Sequence, residues 1–185
     1  MNTLIIHPTD KTTDFLLPIQ DVVEAKTVVR RGMNKSSIAA MVMQHDRFIG
    51  MGHGTPWGLM SVGQFEGPDF YVVDRLFVEM LRSRSTNIFI WCYAYEFAKR
   101  FEIQSFATNM FISELFEANF IGIRNATIDQ VEESNTVFVQ EISKCINLPA
   151  KEIYESLIKS EYAILSQKNP VAAYNFERLH HIKLN

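Results

Sequence analysis

This sequence predicts a three-layer α/β fold, with a mainly parallel sheet covered by helices on both faces and a helical C-terminal third. Three observations carry that expectation. Short apolar runs rich in Val, Ile and Phe recur through the first two thirds of the chain, at TLIIH, KTVVRR, DRFIGMGHG, NIFIW and SFATN. Helical spacing fills most of the intervals between them, and strands that alternate with helices form right-handed parallel crossovers. From Thr127 onward the alternation gives way to amphipathic helical patterns. A length of 185 residues fits a single domain over 1–185, with a sheet core over 1–125 and C-terminal helices over 126–185 packing on it.

The elements follow in order. Thr3–His7 reads as the first strand, bounded by Pro8. Asp10–Thr13 offers helix caps for a short helix over Phe15–Val23, in which Pro18 fits only the first turn. Lys26–Arg31 is the second strand, and Asn34, Ser36 and Ser37 cap a helix running to Gln44. The run Asp46–Gly54 is the third strand; Gly50 and Gly52 are unusual inside it and imply that another backbone or a ligand comes close. Thr55–Gly67 reads as an apolar loop, Phe70–Val73 as a short strand or hairpin arm, and Asp74 as the cap of a helix to about Leu81. Asn87–Trp91 is a strand, Tyr93–Phe101 the helix leaving it, and Ser105–Asn109 the next strand. Met110–Ala118 has helical spacing and Phe120–Ile123 reads as a last short strand. The remainder predicts helices over Ile128–Ile146, from Pro149 to about Ser166, and over Val171–Leu179.

Composition narrows the function classes. A net charge of −3 with no evident basic face disfavours a nucleic-acid partner. No run approaches the roughly 18 apolar residues of a membrane span, so no membrane partner is expected. The start, MNTLIIHPTDK, lacks the basic and apolar regions of a signal peptide. The two cysteines, Cys92 and Cys145, are too few for a disulfide framework and read as free thiols in a reducing, cytoplasmic setting. Gly50, Gly52 and Gly54 do not match the spacing of a dinucleotide loop, and Cys92, His53 and His45 match no common zinc spacing, so neither cofactor nor metal is expected. A homodimer remains open.

The chemistry gathers at two strand ends. In an open α/β sheet, ligands and catalytic groups collect beyond the carboxyl ends of the strands. One strand here ends in His53-Gly54 and another in Cys92, about one crossover unit later. An imidazole beside a thiol takes its proton or stabilises the thiolate. Gly54 and Cys92 could offer backbone N–H groups to a developing oxyanion. The helix beginning at Tyr93 is expected to lower the Cys92 pKa further.

IGMGHG and NIFIWC, with the α/β rhythm from Thr3 to about Ile123, resemble the caspase-like cysteine peptidases, in which the His follows one sheet strand and the Cys the next. The resemblance implies a caspase-like fold, His53 as general base, Cys92 as nucleophile, and Gly54 with Cys92 as oxyanion donors. It implies a cysteine-dependent hydrolase acting on a peptide or protein. Trp57 and Phe65 are expected as a substrate wall, and Glu66 and Asp69 as acidic groups able to meet a basic substrate side chain. Trp91 and Tyr93 flank the Cys where caspases carry small residues before it and Gly soon after. That departure keeps open a catalytically inactive binding or regulatory module. A doubly wound domain binding a nucleotide or other small ligand is the remaining alternative.

Overall fold

The computed structural model describes residues 1–183. β1 (Thr3–Ile6) is buried along its whole length, as suits a β-branched run covered on both faces. A 3-10 turn over Lys11–Leu16 follows, opened by Asp10, and leads into α1 (Leu17–Val22) with Pro18 in the first turn. Next come β2 (Lys26–Val29), α2 (Lys35–Gln44) and β3 (Arg47–Met51). Asn34 caps α2 by accepting the Ser37 N–H at 2.9 Å. Three short strands, β4 (Gly54–Thr55), β5 (Gly58–Met60) and β6 (Tyr71–Val73), form a separate antiparallel sheet. Asp74 caps a second 3-10 turn that runs into α3 (Val78–Arg82). β7 (Asn87–Ile90), α4 (Ala94–Arg100), β8 (Ser105–Thr108) and α5 (Leu115–Phe120) continue the alternation. The rest is α6 (Ile128–Cys145), α7 (Ala150–Leu157), α8 (Glu161–Leu165), α9 (Pro170–Phe176) and β9 (Leu179–Ile182).

The main sheet has six strands in the order β2-β1-β3-β7-β8-β9. All its pairs are parallel except β8–β9. Alternate strand residues feed two apolar clusters, as the two-residue side-chain period of a strand requires. Ile5, Ile49, Ile88 and Phe106 join Ile19 of α1, Phe138 of α6 and Ile153 of α7. Leu4, Phe48, Phe89 and Ala107 join Ile38 of α2, Leu81 of α3 and Phe97 of α4. Arg47 opens β3 fully buried and donates through Nη2 to the carbonyls of Ile146 and Leu148, the latter at 3.2 Å. Those carbonyls follow α6, where the helix leaves acceptors unpaired and partly negative. Burial lowers the Arg47 pKa to about 10, which leaves it charged at neutral pH. One buried cation thus ties the central sheet to the helical third.

Five expectations are corrected. The stretch Thr55–Gly67 is not all loop: it holds β4 and β5, paired through a turn at Pro56-Trp57. The helix expected over Met110–Ala118 begins later, at Leu115, because Glu114 and Glu117 form a reciprocal capping box. It runs through Phe120, and the expected strand Phe120–Ile123 is its end, closed by Gly122 in the left-handed region at φ 94° and by the Ile123 N–H donating to the Ala118 carbonyl at 2.9 Å. The helix expected from Pro149 to about Ser166 is two, because Ser160 accepts the Tyr162 N–H at 3.1 Å and starts α8. The last expected helix stops at Phe176, and Leu179–Ile182 instead pairs antiparallel with β8. Among the described residues, no helix is long and apolar enough to cross a membrane.

Candidate functional site

β3 and β7 are neighbours, and their register decides what their ends deliver. Met51 pairs with Ile90, and the Gly52 N–H donates to the Ile90 carbonyl at 3.0 Å. His53 and Cys92 each lie two residues beyond that pair, at the carboxyl edge of the sheet. Both line one cavity, roofed by Thr13 and Phe15 of the first 3-10 turn and by Phe111. Its free space is about 20 Å³, room for about one water.

Two glycines of the run Asp46–Gly54, Gly50 and Gly54, answer to a side chain rather than to a ligand, whereas Gly52 adopts a positive φ of 135° that favours glycine. Trp91 is buried with 2% exposure and lies across the end of β3. A Cβ on Gly54 would lie 2.0 Å from its Cδ1, and one on Gly50 2.8 Å from its Cζ3. The Gly54 N–H stays outside the β4–β5 ladder. Met60 N–H donates to the His53 carbonyl at 2.9 Å, which makes Gly54–Leu59 a non-hydrogen-bonded pair. The chain turns sharply after Cys92, with Tyr93 in the left-handed region at φ 65°. That conformation is uncommon for an aromatic residue and is a form of local strain that clusters at functional sites.

The electrostatics of the thiol correct one expectation. Burial pushes the Cys92 thiol up to about 11, and the nearby Glu117 carboxylate adds to the rise. The helix that follows is only Ala94–Arg100, and its dipole does not outweigh the desolvation. At rest the sulfur is a protonated thiol whose Sγ–H donates to the Phe111 carbonyl at 3.6 Å.

His53 is held from the other side. Its Nε2 lies 2.6 Å from Thr12 Oγ1 and 3.7 Å from Asp10 Oδ1. Asp10 Oδ1 in turn accepts from Thr12 Oγ1 at 2.6 Å and from the Thr12 N–H at 2.9 Å. These bonds, mainly those from Thr12, hold the Asp10 carboxyl below its usual range. A second imidazole, His7, is buried beside this segment and bonded to Gln20 and to Thr13 Oγ1. Burial, with the Arg30 charge, lowers its pKa to about 4, so it is neutral.

The four expected substrate residues sit elsewhere. Trp57 is exposed in the hairpin turn, with the Arg100 guanidinium 3.8 Å from its ring centroid. Phe65 packs on the cluster beneath α2, α3 and α4. Glu66 is exposed, and Asp69 is exposed at 3.5 Å from Lys35 Nζ. None of the four lines the His53–Cys92 cavity. Cys145 is buried in α6. His180 and His181 lie in β9, where the His180 ring packs on Tyr95 with centroids 4.0 Å apart. His45 is spent on the Met41 carbonyl at 2.6 Å and Thr27 Oγ1 at 2.9 Å.

Asp10, Thr12, Phe111 and Glu117 are the site neighbours that sequence reasoning missed. Asp10-x-Thr12 was legible as a capping pair, but nothing in the sequence joins it to position 53. The run Gly50-x-Gly52-x-Gly54 continues into a hairpin and not into a helix N-terminus, so it is not a phosphate cradle of the strand–loop–helix kind. No family model, curated protein or solved structure matches the chain at a significant level.

Proposed function

We propose that this protein is a cysteine-dependent hydrolase, most simply a peptidase, of three-layer caspase-like fold, with Cys92 as nucleophile and His53 as general base and acid. One observation carries the reading: an imidazole and a thiol stand at matching positions past adjacent parallel strands and face one cavity. The two apolar clusters on alternate strand residues support the layered architecture.

The chemistry balances on these groups. The Cys92 proton passes to the imidazole as sulfur bonds to the substrate carbonyl carbon, and the carbonyl electron pair moves to oxygen. The N–H groups of Gly54 and Cys92 are the donors assigned to that oxyanion, each worth roughly 3 kcal/mol where such donors have been removed elsewhere. Collapse breaks the C–N bond, the imidazolium gives its proton to the leaving amine, and a thioester remains. Water, deprotonated by the imidazole, then releases the acid and restores the thiol. Because the resting thiol is protonated, proton transfer accompanies attack rather than preceding it.

A panel of peptidyl acyloxymethyl ketones varying in the side chain before the reactive carbonyl tests this. The expected result is an adduct on Cys92, absent in Cys92→Ala and formed at least about a hundredfold more slowly in His53→Ala, the usual scale of general-base assistance. The reading fails if no member labels Cys92 faster than it labels Cys145. A second reading, an inactive binding or regulatory module, is favoured by the small cavity of about 20 Å³ and the thiol raised to about 11. It predicts that failure.

A further inference from the structure

The segment before the first helix does more than cap it. Capping needs only the Asp10 carboxylate and the Thr12 N–H, and that bond is present at 2.9 Å. The Thr12 hydroxyl makes two further short contacts, 2.6 Å to Asp10 Oδ1 and 2.6 Å to His53 Nε2. A hydroxyl has one proton to give, and an ionised carboxylate can only accept. The Thr12 proton therefore goes to Asp10, and Thr12 Oγ1 accepts from His53. A nitrogen that donates carries the hydrogen, so the neutral ring is the Nε2–H tautomer and Nδ1 holds the lone pair. The three groups also share an origin in the sheet. β1, β3 and β7 are consecutive neighbours, and Asp10–Thr12, His53 and Cys92 follow their carboxyl ends in that order.

We infer that Asp10 and Thr12 are positioning residues, which fix His53 as the tautomer with a bare Nδ1 and set a negative charge behind the imidazolium that forms when Nδ1 takes the Cys92 proton. The proton moves from Sγ to Nδ1, the electron pair stays on sulfur to make the new bond to carbon, and Nε2–H keeps its bond to Thr12 throughout. Asp10 stays ionised and transfers nothing. Thr12 relays orientation and dipole, not a proton. The same turn presents Thr13 and Phe15 to the cavity, so one short segment both aims the base and encloses the thiol. This inference rests on the dyad proposed above.

The test reads the two apart. Long-range ¹H–¹⁵N spectra of the full chain report which ring nitrogen carries hydrogen, and the five histidines are distinguished by losing one set of signals in His53→Gln. The expected spectrum above the titration range shows His53 protonated at Nε2 only. Thr12→Val and Asp10→Asn should turn it into a mixture of tautomers, while Thr12→Ser, which keeps the hydroxyl, should preserve it. Labelling of Cys92 by the peptidyl ketone that reacts best with the native chain should fall about tenfold to a hundredfold in Thr12→Val, the scale of a lost charge-assisted hydrogen bond, and recover in Thr12→Ser. A native His53 protonated at Nδ1, or a tautomer unmoved by Thr12→Val in a chain whose other histidine signals are unchanged, overturns the assignment. The expected tautomer pattern with labelling insensitive to His53→Ala would instead sink the dyad and leave the orientation of the ring standing.

Discussion

Gly54→Ala tests the packing on which the site is built. The added methyl carbon would lie 2.0 Å from Trp91 Cδ1, 2.5 Å from Cγ and 2.8 Å from Nε1. Those atoms belong to the end of the indole nearest its backbone, which cannot bend away. The ring is also flanked by Phe89 and Phe97, with centroids at 4.8 and 5.7 Å. Forcing extra carbon into a filled core costs about 1–3 kcal/mol, and contacts this short place the cost at the upper end. Loss of glycine's freedom in the unfolded chain offsets about 0.4–1 kcal/mol. The net is a destabilisation of about 2 kcal/mol. For a chain of 185 residues, about 2–4 °C per kcal/mol makes that a fall in Tm of about 4–8 °C. Calorimetry on four proteins completes the argument: native, Gly54→Ala, Trp91→Leu and the double variant. With the indole gone, the methyl should cost far less, giving a coupling of about 1–2 kcal/mol. An unchanged Tm in the single variant, or the same loss in both backgrounds, would refute the claim that Trp91 is what demands glycine at position 54.

Other outcomes follow from the buried titrating and charged groups. His7 is fully buried with its pKa lowered to about 4, so the unfolded chain protonates first; stability present above pH 6.5 should drain away by about 3 kcal/mol toward pH 4. His7→Gln should flatten that acid limb in denaturant titrations, and an unchanged limb would contradict it. Cys145 is raised to about 11, first by burial and then by the Glu141 charge. The unfolded thiol therefore ionises first, and stability complete below pH 9 should fall by about 2–3 kcal/mol on approaching pH 11. Cys145→Ala removes its share of that slope if the assignment is correct. Arg47→Met keeps the volume but strips the donor from the Ile146 and Leu148 carbonyls. Urea unfolding should show a loss of about 1–3 kcal/mol, and a neutral result would mean that water reaches those acceptors.

The β-branched runs announced the five parallel strands of the main sheet, because a strand covered on both faces must be apolar at nearly every position. β9 escaped notice for the complementary reason. It is an edge strand, only Leu179 of LHHI is buried, and two histidines carry no apolar alternation. The strand expected at Phe120–Ile123 failed because Glu114 and Glu117, on opposite sides of the helix start, capped a helix that ran through Phe120. At the site, the His-Gly and Cys strand ends were visible as apolar runs closing on chemistry-bearing residues. The partners of His53 were not, since Asp10 and Thr12 reach it across 43 and 41 positions through a fold that brings β1 beside β3. The same blindness made Trp57, Phe65, Glu66 and Asp69 look like neighbours of His53. They follow it in sequence, but the β4–β5 hairpin carries that stretch away from the cavity.

What the amino-acid order determined by itself was local: which stretches are strands, where caps start helices, and that an imidazole and a thiol each end a buried run. Periodicity and capping act over a few residues, so they can be read without the fold. Only the tertiary structure decided that β3 and β7 lie side by side in a register ending on Met51 and Ile90. It alone set Trp91 against two glycines, Arg47 against the end of α6, and Thr12 between an acid and a histidine. Solvent exclusion and strand order are collective properties of the folded chain. They also set the state of the sulfur, a thiol raised to about 11 by burial that no neighbouring residue in the sequence foretells.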